Sequence, residues 1–382
     1  MSLAADLLKV ADFVVGKPAV RLLAPLTPAP APPGAARPPR RILVIRPGGI
    51  GDAVLFIPML RELRRAWPGC RIDLLLERRN AGVLDGTGLA DRLLRYDAGP
   101  GALAAVVRGR YDLVIDTEQY HCLSSIVAMM TRAPRRIGFA TGSRRRLYTE
   151  TVPYDRQRYE VLSFLDLARQ ATGREPRWDP DEPFYPLPLA ALRVAERELS
   201  GIRRVGRPLV AIHPGASIPE RRWPPERYAA VARGLAERGA AIVVLGGPQD
   251  VRAARMIAGA LERYPHLVLA GRTSLAEAAA VVSEVAVYVS ADTGLLHLAY
   301  AVGTPTVHLF GPGVLAKWGP PGSRFRSVRH EVPCSPCTTY GYTPPCAQGL
   351  VCMLGIRPEQ VIAEVSRSLD EQVRAARTGA GR

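Results

Sequence analysis

Short apolar runs, each followed by a segment of helical periodicity, recur along both halves of this chain, and that alternation constrains the fold more than any single motif. The first half carries "ILVI" (42–45), a helical pattern near 52–66, "RIDLLL" (71–76), and "YDLVID" (111–116) before another helix. The second carries "PLVAIH" (208–213), a helix from about Pro225, "AIVVLGG" (241–247), a helix from about Gln249, "LVLAG" (267–271), "VAVYVSADTG" (285–294) with a helix behind it, and "PTVHLFG" (305–311). Strands that are apolar throughout must be covered on both faces, which crossover helices on a parallel sheet achieve. Two successive doubly wound α/β domains are expected, 41–190 and 205–357, with the boundary near 189–206. Ser274, three residues before Glu277, forms a capping-box pattern at a helix start. "RPEQVIAEVSRSLDEQVRAA" (357–376) has Pro358 where a first-turn proline fits, so 358–382 should be a closing helix and tail.

Outside this rhythm lies the N-terminal region, 1–40. Residues 1–22 place Leu3, Leu7, Leu8, Val10, Ala11, Val14 and Val15 at mixed helical spacings between Asp6, Lys9 and Asp12. A short amphipathic helix results, either packed on the body or lying on a membrane surface. "PLTPAPAPPGAARPPR" (25–40) is a Pro/Ala linker and should be extended. No apolar run approaches the roughly 18 residues of a membrane-spanning helix, and the start lacks a secretory pattern, so a cytoplasmic location is expected. Lys and Arg outnumber Asp and Glu by 51 to 35, a net +16 that favours polyanionic partners: nucleic acid, anionic lipid or a phosphorylated substrate.

The turn "RPGGIGD" (46–52) after the first strand has glycines at 48, 49 and 51 and resembles a dinucleotide-binding turn, with Glu77 ending the next strand where a ribose-binding acid would stand. The pattern then fails. Val54 occupies the position of the third glycine, which close helix–strand packing requires, and no Gly-Lys-Ser/Thr closes a phosphate loop. What remains is a turn whose glycines Gly48, Gly49 and Gly51 admit a ligand to the backbone, followed by Asp52 at a helix start. Asp52 reads either as a helix N-cap or as a general base at the carboxyl end of a parallel strand.

The second domain offers another half-site. In "SADTGLLHLAYAVGTPTVHLFGPG" (290–313) a strand ends at Asp292-Thr293-Gly294 and a helix begins, so free N–H groups and the helix dipole face the loop, an environment suited to a diphosphate. Thr293 can donate its hydroxyl and Gly294 leaves room for the anion. Neighbouring strand-end loops bring Arg221, able to neutralise a diphosphate, and Asp250, able to accept from a ribose diol. A plain cap for Asp250 and a solvated charge for Arg221 are the structural alternatives.

Taken in order, "RPGGIGDAVLFIPMLRELRRAWPGCRIDLL", "YDLVIDTEQY…PRRIGFATG", "HPGAS…RRWPPERYAAVA", "LGGPQD" and "DTGLLHLAYAVGTPTVHLFGP" resemble the ADP-heptose:lipopolysaccharide heptosyltransferases of glycosyltransferase family 9, from roughly Arg41 to Ser368. The resemblance implies a GT-B architecture, two Rossmann-like doubly wound domains facing across a cleft, the first binding acceptor and the second nucleotide-sugar. It implies an inverting transfer that needs no cofactor, with Asp52 as base, Thr293 and Gly294 at the diphosphate, Asp292 near the donor sugar, and His297 within the same pattern. Relatives often carry Lys where this chain has Arg221, which exchanges a point charge for a planar fork.

Two features stand apart. "CSPCTTYGYTPPCAQGLVC" presents Cys334, Cys337, Cys346 and Cys352 as C-x2-C-x8-C-x5-C, a pattern suited to a structural zinc or an iron–sulfur cluster, or else to reduced or paired thiols. Between Thr131 and Arg158 stand arginines 132, 135, 136, 144, 145, 146, 156 and 158, either a solvated face or a landing surface for anionic acceptor or lipid. No nucleic-acid-binding module accompanies them. The sequence thus points to a glycosyltransferase moving heptose or a related sugar from an ADP-linked donor to lipopolysaccharide inner core or a similar anionic glycolipid, at the cytoplasmic face of the inner membrane and in peripheral contact with it. A family member with another nucleotide-sugar, or an NAD-dependent oxidoreductase, is the alternative.

Overall fold

The computed structural model describes residues 12–26, 37–339 and 342–378. The expected helical residues before Asp12, linker residues 27–36 and the last four residues lie outside them. The chain forms two units, 1–178 and 179–382.

The first unit is built on a six-stranded parallel sheet of β1 (Arg41–Ile45), β2 (Arg71–Leu76), β3 (Arg92–Arg95), β4 (Leu113–Asp116), β5 (Arg135–Phe139) and β6 (Glu150–Val152), in the order β3-β2-β1-β4-β5-β6. Ile42, Leu43, Val44, Ile72, Leu74, Val114 and Ile115 are fully buried, as strands covered on both faces require. The order reverses between β1 and β4, and in open α/β sheets ligands bind outside the carboxyl ends of strands at such a switch point. The Gly48–Asp52 turn leaves β1 there.

The second unit repeats the plan with β7 (Leu209–His213), β8 (Ala241–Val244), β9 (His266–Val268), β10 (Val287–Ala291), β11 (Thr306–Leu309) and β12 (Phe325–Val328), ordered β12-β11-β10-β7-β8-β9 and parallel throughout. Its switch point falls between β7 and β10, where the His213 and Asp292–Thr293 loops emerge. The expected capping box is present: Glu277 N donates to Ser274 Oγ at 3.3 Å, and Ser274 N donates to the Glu277 carboxylate at 2.7 Å.

The division between units falls at Trp178–Asp179, ahead of the boundary expected near 189–206. Helix Leu189–Arg203 packs against helix Leu275–Ser283 of the second unit, a tertiary preference that its own amphipathic spacing does not encode. Helix Pro358–Thr378 packs on helix Pro225–Glu237 and beside β10–β12, so it is part of the second core.

The N-terminal segment is docked on the first unit. A π-helical turn, Asp12–Gly16, leads into helix Lys17–Leu23, whose Val20 is buried with Cys122 and Leu147. Asp12 reaches helix Leu123–Met130, accepting from Cys122 N at 2.7 Å and Leu123 N at 2.6 Å through one carboxylate oxygen. Among the described residues no helix is long and apolar enough to cross a membrane.

Candidate active site

In the first unit the glycine turn is held from behind by side chains distant in sequence. Gly48 takes φ 107°, which only glycine adopts without strain. Its N–H donates to Glu77 Oε1 at 2.8 Å, while Asn80 Nδ2 donates to the carbonyls of Arg46 and Gly48 at 3.1 and 3.2 Å. Glu77 therefore clamps the loop. Val54 is fully buried in the following helix, Ile50–Leu55.

Gly49, not Asp52, is the N-cap of that helix. Asp52 is its third residue, with Oδ2 turned back to accept from Gly49 N at 3.3 Å, and it stays partly exposed. The N-cap alternative for Asp52 is thereby replaced by a carboxylate in the first turn, favoured by the helix dipole.

Below the loop lies a buried charge network. Arg46 donates to the carbonyls of Pro47 (2.6 Å) and Thr117 (2.8 Å) and to Glu118 Oε2 (3.3 Å), and stacks over Phe164. Burial opposes its charge, but Asp52, Glu118, Glu160 and Asp116 outweigh that and hold the guanidinium protonated. Glu118 is buried as well, which favours its neutral form, yet Arg46 foremost holds its carboxyl below the usual range. Asp116 at the end of β4 accepts from Arg144 at 2.7 Å and Tyr148 Oη at 2.6 Å. The arginine-rich stretch is thus divided. Arg135 pairs with Glu150, Arg144 with Asp116 and Arg158 with Asp166, Arg136 is buried, and Arg132, Arg145, Arg146 and Arg156 are exposed.

In the second unit, His213 at the end of β7 joins two loops and the neighbouring strand β10. Its Nε2 lies 3.3 Å from Asp250 Oδ2, and its Nδ1 lies 3.2 Å from Tyr288 Oη and 3.5 Å from Thr293 Oγ1. Thr293 caps helix Gly294–Ala301, accepting from Leu296 N at 3.3 Å. The first N–H groups of that eight-residue helix have no acceptor within the helix and face the loop.

Asp250 is buried, and its Oδ2 accepts from Gly247 N at 2.8 Å and Gln249 Nε2 at 3.2 Å as well as facing His213. A Cβ on Gly215 would stand 2.3 Å from its other oxygen. Oδ2 of Asp250 is therefore engaged by its own loop and by His213. His213 was not singled out in the sequence, because its partners, in two loops and in β10, lie 37, 75 and 80 residues away.

Arg221 is no solvated charge. Its Nη1 lies 2.7 Å from Asp292 Oδ2, and its buried Nε has no hydrogen-bond partner among the described residues. Burial works against the Asp292 charge, but Arg221, then His308 and His297, hold its carboxyl below the usual range. His297 Nε2 is 3.9 Å from Asp292 Oδ1, in the buried face of its helix. A cation, an acid and a helix N-terminus thus share one strand-end rim, an arrangement able to bind a phosphate group while keeping the acid ionised.

The sequence model of glycosyltransferase family 9 (heptosyltransferase) matches residues 101–347, more than half of the chain. The chain belongs to glycosyltransferase family 9. It is 26% identical over 361 residues to lipopolysaccharide heptosyltransferase 2 of Salmonella typhimurium, covering 87% of this chain and 99% of that one. A family 9 glycosyl transferase from Veillonella parvula superposes with a TM-score of 0.74 at 22% identity, over 87% of this chain and 98% of that one. The E. coli ADP-heptose lps heptosyltransferase II gives 0.68 at 24%, over 87% and 99%. The protein is a glycosyltransferase of the GT-B fold class, each unit a doubly wound α/β sheet.

The four clustered cysteines of this glycosyltransferase border one cavity of about 100 Å³ together with Glu220, Pro312 and Leu350. Cys334, Cys337 and Cys346 are exposed and Cys352 is buried, all as free thiols. Leu350 N donates to Cys346 Sγ at 3.3 Å, and burial, then neighbouring sulfurs, push the Cys337 and Cys352 thiols up. Among the described residues no group of three or more His, Cys, Asp or Glu is disposed to hold a metal ion. The four thiols thus line one common cavity.

Proposed function

We propose that this glycosyltransferase moves heptose from an ADP-activated donor to lipopolysaccharide inner core or a similar anionic glycolipid, with inversion at the anomeric carbon and no cofactor. The observation that carries the reading is the provision of the two units: a partly exposed carboxylate on a glycine turn at one switch point, and a cation beside a helix N-terminus at the other.

In this reading the N–H groups behind Thr293 and Gly294, with the Arg221 Nε donor, receive the diphosphate, and Asp292 fixes Arg221 with His297 as a packed neighbour. Gly48, Gly49 and Gly51 let the acceptor approach the backbone of the first unit. Asp52 takes the proton of the acceptor hydroxyl as its oxygen attacks the anomeric carbon, and the bond to the diphosphate oxygen breaks as that bond forms. Negative charge developing on the departing diphosphate is stabilised by donors already in place. Support for heptose and for the lipopolysaccharide acceptor comes from the relatives, each named a lipopolysaccharide or lipooligosaccharide heptosyltransferase. Nucleic acid has no part in the reading.

The test is a calorimetric titration with ADP-heptose against UDP-sugar, GDP-sugar and NAD, followed by transfer to purified core acceptor with the anomeric configuration read by NMR. Selective ADP-heptose binding and an inverted product are expected. Preference for another nucleotide-sugar would remove the heptose assignment, and binding of NAD alone would overturn the transferase reading.

A further inference from the structure

The docked N-terminal segment divides into two faces. Asp12, Gly16 and Val20 turn to the body, where Asp12 caps helix Leu123–Met130 and Val20 joins Cys122 and Leu147. Val14, Pro18 and Leu22, at helical spacing, turn to solvent with Val15 beside them. Leu22 is 77% exposed, Val14 62% and Val15 55%. Lys17 and Arg21 are exposed on the same outward side. Packing on the body thus accounts for one face only.

The cations do not stop at the segment's end. Helix Lys17–Leu23 packs against the 3-10 turn Arg144–Leu147, in which Arg144 and Leu147 are buried while Arg145 and Arg146 are exposed. No acidic residue occurs in 13–26 or in 143–147. An apolar strip rimmed by cations of one sign, lying on a folded body, is the chemistry of an element resting in the headgroup layer of an anionic bilayer: apolar side chains reach the acyl boundary and Lys and Arg meet the lipid phosphates. A polyanion without an apolar phase, such as nucleic acid, would use the cations and leave Val14, Val15 and Leu22 unexplained.

We propose that Val14, Val15 and Leu22, with Arg21, Arg145 and Arg146, form a membrane foot that holds the first unit on anionic lipid. The inference does not rest on the transfer reaction, and the readout contains no nucleotide-sugar, so the two succeed or fail separately.

The full-length protein is sedimented with vesicles of phosphatidylcholine, with or without about 30% phosphatidylglycerol, at about 0.1 and 0.5 M KCl. Binding to the anionic vesicles that weakens at the higher salt is expected. The variants Val14→Ser/Val15→Ser/Leu22→Ser and Arg21→Glu/Arg145→Glu/Arg146→Glu should each lower the partition coefficient about tenfold or more, with thermal melting unchanged because the altered side chains are exposed. Should the apolar triple variant melt lower, Leu22→Ser alone reads the same contact. The proposal is overturned if the protein ignores anionic vesicles, binds neutral ones equally, keeps its partition in both variants, or binds only heparin or RNA in a manner that the apolar variant leaves intact.

Discussion

Arg221 Nη1 and Asp292 Oδ2 stand 2.7 Å apart, the aspartate 5% and the arginine 14% exposed. The contact ties the loop after β7 to the loop after β10, so one residue serves both the fold and the anion site. Arg221→Ala leaves a buried carboxylate without its main partner and should cost about 3 kcal/mol in urea unfolding. The wild-type carboxyl is held low, so its stabilisation is complete above the unfolded Asp value, about 4, and is lost as pH falls through the lower folded value. In the variant burial dominates and the carboxyl rises, so the stability gap should be wider at pH 7.5 than at pH 4.5. Arg221→Ala/Asp292→Asn should recover part of the loss, and its donor affinity then isolates the anion-binding role.

Asp52→Asn keeps the size and loses the base. Asp52 makes one long hydrogen bond to Gly49 N and is partly exposed, so stability should fall by no more than about 1 kcal/mol. Turnover should fall by about 10²–10⁴-fold with the calorimetric affinity for donor unchanged. Turnover retained within a few-fold would remove Asp52 as the base.

His308 in β11 is fully buried between Phe310 and Phe325, and neither ring nitrogen has a hydrogen-bond partner among the described residues. Burial pushes its pKa down to about 3, against the opposing pull of Asp292. The unfolded chain binds this proton near pH 6.5 while the folded chain does not, so stability falls as pH drops from about 6.5 towards 3, by up to about 1.4 kcal/mol per pH unit. His308→Phe should flatten that part of the profile in urea titrations between pH 4 and 7.

Gly215 has no room for a side chain, since a Cβ would stand 2.3 Å from Asp250 Oδ1. Gly215→Ala must displace Asp250 and with it His213. A loss of about 1–3 kcal/mol is expected, with donor binding weakened and the Asp52 side untouched. The same donor titration checks it.

How legible the molecule was depends on the range of each interaction. Strands β1, β2, β4, β7, β8, β10 and β11 announce themselves because burial on both faces demands continuous apolar runs. Two outer strands escape that rule, since "RLLR" in β3 and "FRSV" in β12 are only partly buried at the sheet edges, and "RRIGF" in β5 hides its strand behind arginines that pair with Glu150 or are buried. Asp52 and Thr293 were readable because each lies next to its own glycine turn. The clamp of Glu77 on the loop, the Arg46–Glu118 pair and His213 were not, since they act on partners 29, 72 and up to 80 residues away.

The longest of these couplings is also the most exposed to test. Asp12 caps helix Leu123–Met130 across 110 residues, and the preceding turn is held by Glu118, whose carboxylate accepts from Tyr120 N at 2.9 Å and His121 N at 3.2 Å while facing Arg46. Asp12→Ala removes the acceptor of two backbone N–H groups and should cost about 1–2 kcal/mol; Asp12→Asn, which keeps a carbonyl oxygen there, should cost less. Because only Gly16, Val20 and Leu23 then secure the segment's inward face among the described residues, residues 12–26 should become sensitive to limited proteolysis, and the amides of Cys122 and Leu123 should exchange faster. Exchange unchanged at those two amides would show that the cap contributes nothing to the hold.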